Sequence, residues 1–96
     1  MKQPCVYILS NQARGTLYIG VTSDLIGRVW QHKQNLVDGF SKQHDLHLLV
    51  YFEQLDDMMS AITREKQLKK WNRAWKIELI ESMNSDWRDL YLDLVP

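Results

Sequence analysis

Two short runs of β-branched and aromatic residues, 5–10 and 16–22, open the chain, and the turn-like stretch Asn-Gln-Ala-Arg-Gly separates them. This pattern predicts a β-hairpin, because such residues favour strands and the intervening composition favours a reversal. If the turn is centred between Gln12 and Ala13, then Tyr7 lies directly opposite Tyr18 on one face. The hairpin therefore brings two phenols together, provided that the turn has this register.

An amphipathic helix is predicted next, with Ser23 or Asp24 as its N-cap. At 3.6 residues per turn, Arg28 and His32 are stacked one turn apart. They lie along the edge of an apolar arc, so we expect both to point partly towards the protein. The arc consists of Leu25, Ile26, Val29 and Trp30.

The middle of the chain predicts a loop, a strand and a second helix. Residues 36–45 have no clear period and are predicted to form a loop, whereas the apolar run 46–54 is predicted to be a buried strand that pairs with the hairpin. Asp56 or Asp57 caps the helix that follows, in which apolar residues recur at steps of three and four. Glu65 lies within that stripe, where an unpaired carboxylate is costly to desolvate. The other members of the stripe are Met58, Ala61, Ile62 and Leu68.

Two more helices complete the predicted fold. Trp75, Leu79, Ile80 and Met83 predict a third helix packed on the core, continuous with the second or bent near Trp71. A short capped helix follows Ser85 and Asp86, and its apolar residues are Trp87, Leu90, Tyr91 and Leu94. The chain is thus predicted to be a single α+β domain over residues 1–96, with a small central antiparallel β-sheet, the hairpin plus a third strand, flanked by three to four helices.

The composition is that of an ordinary globular protein. The chain has 96 residues, of which 45% are hydrophobic and 25% charged. A single cysteine, Cys5, fits a reducing compartment, and no apolar run approaches the roughly 20 residues needed to span a bilayer. The first residues also lack the pattern of a signal peptide. We therefore expect a cytoplasmic protein without a membrane partner.

Charge is segregated along the chain although the formal net charge is 0. Residues 58–76 hold six basic and one acidic side chain and include two tryptophans, a composition suited to phosphates and bases. For this segment taken alone, the favoured interpretation is a solvated helix face beside a tryptophan-filled core. Residues 77–96 are acidic and could instead meet a basic protein partner. The expected nucleic-acid-binding residues are Lys33, Lys42, Lys69, Lys70 and Arg73.

Several common sites are excluded by spacing. Cys5, His32, His44 and His47 are too few and too irregularly spaced for structural zinc. Neither a glycine-rich phosphate loop nor a Gly-x-Ser-x-Gly turn occurs. Polar side chains attached to apolar faces remain as candidates, namely Tyr7, Tyr18, Arg28, His32 and Glu65.

These residues resemble the pattern of the GIY-YIG nuclease superfamily. Val6-Tyr7 is followed eleven residues later by Tyr18-Ile19-Gly20, and then come Arg28 with His32 and finally Glu65. The resemblance covers nearly the whole chain, including the Gly-Phe-Ser loop at 39–41, and is closest to the small stand-alone bacterial branch. The first motif departs from its name, because Cys5 replaces glycine and Val6 replaces isoleucine.

The resemblance implies a DNA endonuclease with Tyr7, Tyr18, Arg28, His32 and Glu65 as catalytic residues. Glu65 would bind Mg²⁺ or Mn²⁺, and Arg28 would contact the phosphate. Tyr18 is the favoured general base with Tyr7 as its partner, although the two roles could be exchanged, and His32 would orient the network or relay a proton. The family asparagine could be Asn72 or Asn84.

Alternatives to each residue role remain open. The tyrosines could be a cross-strand aromatic pair, Arg28 and Glu65 an ion pair, and His32 a surface residue. The whole chain could also be a non-catalytic nucleic-acid-binding module. If it is a nuclease, single-stranded, duplex and branched DNA are candidate substrates, and we expect structure-selective or weakly specific cleavage in DNA repair or processing by a monomer or a weak homodimer.

Overall fold

The computed structural model describes residues 3–37 and 39–95 of the chain. Three strands form an antiparallel sheet with the order β2-β1-β3. The strands are β1 (Cys5–Ser10), β2 (Leu17–Thr22) and β3 (Leu48–Gln54). In the described part of the chain, five helices surround the sheet, α1 (Leu25–Lys33), α2 (Phe40–Gln43), α3 (Met58–Lys70), α4 (Arg73–Met83) and α5 (Tyr91–Leu94). The α+β class and the three-stranded sheet are confirmed, with two short helices, α2 and α5, among the five.

The predicted hairpin is present, but its register is not the predicted one. Tyr7 lies opposite Gly20, and Tyr18 lies opposite Leu9. The connecting loop is longer than expected because Asn11 stabilises it, accepting a hydrogen bond from the Thr16 amide at 2.9 Å. The register differs from the predicted one by two residues, so Tyr7 and Tyr18 still share one face but are diagonal neighbours.

Capping residues begin α1 and α3 as the sequence predicts. Asp24 caps α1 by accepting from the Gly27 amide, and Asp57 caps α3 by accepting from the Ser60 amide. The chain leaves the helical conformation at Trp71, and Asn72 caps α4 by accepting from the Trp75 amide. Of the two open alternatives, a break between the second and third helices is therefore the correct one.

The middle loop and the end of the chain differ from the prediction. Within the predicted loop 36–45, the four-residue helix α2 forms, while Asp38 lies outside the described residues. The predicted final helix over Trp87 and Leu90 is wrong in its first part, because the Leu90 amide donates to the Leu49 carbonyl of β3 at 2.8 Å. Pairing with the sheet outweighs the helical periodicity there, and α5 spans four residues.

The core lies on both faces of β1, whose six residues are all buried. Val6 and Ile8 pack in one cluster with α3 and α4, and Tyr7 and Leu9 pack in the other with α1 and the C-terminal segment. The expectation that Trp75 and Met83 pack on the core is wrong, since their exposed fractions are 55% and 49%. The strand therefore carries alternating residues into each of two layers.

Candidate active site

The Tyr7 ring lies across Gly20 on the neighbouring strand. A Cβ atom at position 20 would come within 2.4 Å of the Tyr7 Cζ and hydroxyl oxygen atoms. Gly20 is therefore needed for its lack of a side chain, and it lets the phenol lie against β2. Tyr7 is 1% exposed, so its ring is fixed within the core.

His32 joins Tyr7 to the short helix α2. The Tyr7 hydroxyl lies 3.1 Å from His32 Nε2, and His32 Nδ1 lies 2.8 Å from the Ser41 hydroxyl. His32 is 2% exposed and Ser41 4% exposed, so the chain of three polar groups is buried. The interpretation of His32 as a surface residue is wrong. Strand β1, helix α1 and helix α2 thus each contribute one member.

Tyr18 completes an aromatic cluster around this chain. Its ring centroid is 6.3 Å from that of Tyr7 and 5.4 Å from that of His32. Tyr18 is half-buried and lines a cleft, whereas Tyr7 is enclosed. The two phenols therefore differ in access, and Tyr18 is the one that can meet a substrate directly.

Burial and Arg28 together set the protonation of the enclosed groups. Burial raises the pKa of Tyr7 to about 12, although a hydrogen bond with Arg28 acts in the opposite direction. Burial lowers the pKa of His32 to about 4, and the charges of Arg28 and then His47 contribute to the same lowering. At Tyr7 the raising of the pKa by burial outweighs the lowering by Arg28. Both side chains are neutral at pH 7.

A neutral imidazole donates from one ring nitrogen and accepts at the other. Two arrangements satisfy the buried chain. If His32 Nδ1 donates to Ser41, Tyr7 donates to Nε2; if Ser41 donates to Nδ1, His32 Nε2 donates to Tyr7. In either arrangement His32 holds the phenol of Tyr7 in one orientation.

Glu65 lies on α3 with its side chain only 15% exposed. Its partner is Lys69, one turn further along α3, at 3.4 Å. The Arg28–Glu65 ion pair considered from the sequence is thus replaced by other contacts, because Arg28 donates to Gln31 at 3.3 Å. The carboxylate stands beside the cleft that Lys69 lines.

A divalent metal has one suitable carboxylate here. Among residues 3–37 and 39–95, no group of three or more His, Cys, Asp or Glu side chains is placed to hold a metal ion. Glu65 offers a largely buried carboxylate of the kind that Mg²⁺ accepts while it keeps most of its water ligands. The donor set thus fits a largely hydrated hard cation and does not fit zinc.

The cleft next to Tyr18 has a volume of about 300 Å³ and is basic. Lys69 of α3 and Lys76 of α4 contribute its two cations, and Phe40 of α2 contributes an apolar wall. We call this the basic cleft; its lining residues are Leu17, Tyr18, Ile19, Phe40, Lys69 and Lys76. A phosphate entering it would meet two ammonium groups and a phenol.

The other expected nucleic-acid-binding residues have different surroundings. Lys70 and Lys42 are exposed in the last turns of α3 and α2. Arg73 donates to the carbonyls of Arg14 and Gly15 in the hairpin loop. Lys33 is the least accessible, because it donates to Asp89 and, at 2.7 Å, to the His47 carbonyl. These contacts give Arg73 and Lys33 structural roles in addition to any contact with phosphate.

Both candidate asparagines have structural partners. Asn72 caps α4, as described above, and is exposed. Asn84 is 4% exposed and donates from its amide to the carbonyls of Val50 and Arg88. Asn84 therefore fastens the end of α4 to β3, and Asn72 fixes the start of the same helix.

The residue patterns do not single out two positions of the site. Ser41 belongs to the loop that resembles the family, and Lys76 belongs to the basic run, but neither stands out there. Ser41 is a small polar residue in a segment without periodicity, which gives no sign of burial. Lys76 follows Lys69 by seven residues, about two turns of a continuous helix, which would place both on one face. The break at Trp71 removes this relation.

Comparison with known proteins identifies the family. The chain matches the family model described as the GIY-YIG catalytic domain over residues 3–78. The protein belongs to the GIY-YIG family. This match includes both tyrosines, Arg28, His32 and Glu65, and it ends within α4.

Relatives of this GIY-YIG protein are found in several bacteria. It is 35% identical to a UPF0213 protein of Pediococcus pentosaceus, over 72% of this chain and 73% of that one. It is 33% identical to a UPF0213 protein of Syntrophus aciditrophicus, over 84% of this chain and 93% of the relative. These matches agree with the small stand-alone branch that the sequence resembles. No solved structure matches the chain.

Proposed function

We propose that this GIY-YIG protein is a metal-dependent endonuclease that hydrolyses phosphodiester bonds in DNA. The observation that carries the proposal is the cluster of Tyr7, Tyr18, Arg28 and His32, which reaches the basic cleft through Tyr18. Membership of the family supports nuclease chemistry. The chain's own geometry supports a phosphate-binding cleft beside a buried hydrogen-bonded phenol.

Tyr18, in its deprotonated form, is the residue proposed to accept the proton of the attacking water. It lines the cleft, whereas Tyr7 is enclosed and its pKa is raised to about 12, which makes Tyr7 a poor base at neutral pH. Tyr7 instead holds the cluster together through His32. This division follows from the access of Tyr18 to the cleft and from the raised pKa of Tyr7, and it gives each tyrosine one role.

Arg28 and the two lysines of the basic cleft are proposed to bind the phosphate. The guanidinium of Arg28 has a planar fork of donors that matches phosphate oxygens. It lies close enough to Tyr7 and His32 to influence the pKa of each. Charge that develops on the phosphate would therefore be stabilised beside the tyrosine cluster.

Glu65 is proposed to hold one Mg²⁺ or Mn²⁺ ion. The metal would supply Lewis-acid stabilisation of negative charge on the leaving oxygen. The Glu65 carboxylate would then exchange its contact with Lys69 for the cation, which frees the Lys69 ammonium group for phosphate. Glu65 and Lys69 are thus proposed to act together.

The proposed substrate is single-stranded, duplex or branched DNA, cut with structure selectivity or weak sequence specificity. One small cleft offers room for few base contacts, and base contacts are what give sequence specificity. A role in DNA repair or processing and a monomer or weak homodimer are proposed together with this substrate range.

None of the helices in residues 3–37 and 39–95 has the length and the apolar character that spanning a membrane requires.

A cleavage assay tests the proposal. Purified protein is incubated with labelled single-stranded, duplex and branched DNA and Mg²⁺ or Mn²⁺, and products are resolved on a denaturing gel. We expect cleavage of at least one substrate and its loss on addition of EDTA. The matched control is the Arg28→Ala, Glu65→Ala double variant, purified in the same way. Wild-type cleavage no greater than that of this control would overturn the proposal.

A non-catalytic nucleic-acid-binding module is the second candidate. The exposed Trp75 and the basic cleft favour it, because both would serve binding without turnover. The replacement of the motif glycine by Cys5 does not favour this candidate, because the Cys5 side chain is fully buried and the strand β1 accommodates it. Binding that survives Glu65→Gln and EDTA, without products on the gel, would distinguish this candidate from the nuclease.

A further inference from the structure

A second cavity, a notch lined by two indoles, lies along α4 where that helix follows α3. It has a volume of about 400 Å³. We call it the tryptophan notch; its lining residues are Trp71, Trp75, Glu78, Leu79 and Ser82. The proposed catalytic residues lie outside this set, so the notch has no part in the chemistry described above.

The two indoles contact each other edge to face. Their ring centroids are 5.9 Å apart with an angle of 89° between the planes. Trp71 is half-buried, and the Arg64 guanidinium lies 5.3 Å from its ring centroid. Trp75 is in the first turn of the capped helix α4, and 55% of it is exposed. The exposed ring of Trp75 is therefore open for a ligand to stack on, beside the more enclosed ring of Trp71.

The chemistry of the tryptophan notch suits a base and does not suit a phosphate. Indole rings and Leu79 offer stacking surface, and Glu78 places a carboxylate among them. A carboxylate repels phosphate but accepts hydrogen bonds from the amino groups of bases. The Ser82 hydroxyl donates to the Leu79 carbonyl at 2.6 Å, so its oxygen can still accept from such a group.

The two sites are joined by a few residues of backbone. Lys69 and Lys76 line the basic cleft, and Trp71 and Trp75 between them line the tryptophan notch. Trp75 and Lys76 are consecutive residues of α4, so their side chains leave the helix about 100° apart and the two sites lie on adjoining faces of it. A single strand that contacts Lys76 and continues around α4 would bring a neighbouring base to Trp75.

We propose that the tryptophan notch binds one unpaired nucleobase of the DNA strand held in the basic cleft. The inference rests on the proposed function for the identity of the ligand, and it adds a preference to it. Bases within a duplex are stacked on both faces and cannot enter, whereas an unpaired base can stack on an aromatic ring. Substrates with an unpaired nucleotide beside the cut are the ones that engage both sites.

Binding measurements without metal test this inference. Fluorescence anisotropy in EDTA gives the Kd of wild type, Trp75→Ala and Trp75→Phe for a labelled single-stranded oligonucleotide and for a duplex of the same sequence. Trp30→Ala is the matched control, because Trp30 is also exposed, at 48%, and belongs to α1. Thermal unfolding of each variant shows that it is folded.

We expect Trp75→Ala to weaken single-strand binding by about tenfold and to leave duplex binding nearly unchanged, since one stacked base is lost. Trp75→Phe retains a ring and keeps most of the affinity, and Trp30→Ala has no effect. Equal losses for both DNA forms, unchanged single-strand affinity in Trp75→Ala, or no binding by wild type would each overturn the inference. If Trp75→Ala still cleaves DNA and binds it with unchanged affinity, the proposed role of the tryptophan notch is overturned and the nuclease proposal stands. If binding depends on Trp75 but no cleavage occurs, the nuclease proposal is overturned and the role of the notch stands.

Discussion

At the scale of single residues, the site depends on groups kept neutral by burial. Tyr7 and His32 are almost fully enclosed and hydrogen-bonded to each other, and their pKa values are displaced in opposite directions, to about 12 and about 4. Both displacements favour the uncharged form, because burial penalises charge on either group. The enclosed residues therefore position the site, and charge is left to Arg28 and the lysines of the basic cleft.

The lowered pKa of His32 predicts that the free energy of unfolding depends on pH. Its pKa is about 4 in the folded protein and 6.5 for an unperturbed histidine, so the unfolded chain binds more protons between these values. Stability should thus fall as the pH is lowered from 6.5 to 4, by about 3 kcal/mol from this residue. Urea unfolding of wild type and His32→Gln at several pH values measures this change in the free energy of unfolding. The variant should lack this contribution, and the exposed-histidine control His44→Gln should retain it; equal pH profiles for wild type and His32→Gln would contradict the prediction.

The division of roles between the tyrosines predicts different kinetic losses. If the protein is the proposed nuclease, Tyr18→Phe should lower kcat by about 100-fold or more, the usual effect of removing a general base. Tyr7→Phe should lower it less, because it removes one hydrogen bond to His32 and leaves the base. Single-turnover cleavage with saturating enzyme compares them, with Tyr91→Phe as a control outside the cluster. A larger loss for Tyr7→Phe would reverse the two assignments.

At the scale of elements, the hairpin register decides which residue faces the Tyr7 ring. The observed register places Gly20 opposite Tyr7 and moves Tyr18 to the diagonal position. A directly opposite tyrosine would have stood beside Tyr7 in the strand pairing, whereas glycine leaves space for the ring. The motif glycine of β2 and the motif tyrosine of β1 are thus one packing unit.

That packing unit predicts a cost for a methyl group at position 20. Gly20→Ala should destabilise the protein by about 1–3 kcal/mol, because the new Cβ would overlap the end of the Tyr7 ring. Chemical denaturation measures the free energy of unfolding. In a Tyr7→Leu background, which lacks the overlapping ring atoms, the same substitution should cost much less. An equal cost in both backgrounds would show that backbone conformation, and not the ring, demands glycine.

The break between α3 and α4 is a second element-scale feature with consequences. Because Trp71 leaves the helix and Asn72 starts a new one, Lys69 and Lys76 come to line one cleft from two different helices. Trp71 and Trp75, which lie between them in the chain, line the tryptophan notch instead. The break therefore separates a basic site from an aromatic one over a short stretch of chain.

At the scale of the whole molecule, a chain of zero net charge has a basic cleft. The positive charge of residues 58–76 is gathered around the α3–α4 junction, and the acidic end is used elsewhere, as when Asp89 accepts from Lys33 and from the Leu49 amide. Non-specific attraction of the whole protein to DNA is weak at zero net charge. Affinity should depend on a few local cations.

We therefore expect DNA affinity to depend only weakly on salt, and Lys69 and Lys76 to account for that dependence. Lys69→Ala with Lys76→Ala should weaken DNA binding and reduce the slope of log Kd against log salt by about two, since each phosphate contact contributes about 0.9. Titrations at several salt concentrations measure the slope. Arg88→Ala, which removes an exposed cation bound to Asp93, is the control and should leave the slope unchanged. If the double substitution leaves the slope unchanged, the DNA binds outside the basic cleft.

The sequence by itself determined the elements whose signals are local. The β-branched runs of the hairpin, the caps Asp24 and Asp57, and the buried strand after residue 46 rest on backbone preference and side-chain period, which act within a few residues. The same reasoning put Arg28 and His32 on one edge of α1 and Glu65 on the inner side of α3. The family pattern then named the five residues that the proposed mechanism uses.

The tertiary structure alone decided the features that depend on residues far apart in the chain. The hairpin register was set by loop contacts and by the fit of Tyr7 over Gly20, and the last predicted helix lost its first part to pairing with Leu49 of β3. Burial of Ser41 against His32 and exposure of Trp75 likewise follow from how helices meet the sheet. A periodic pattern shows which side of an element is apolar, but the neighbour that covers it, or leaves it open, is fixed by packing of the whole chain.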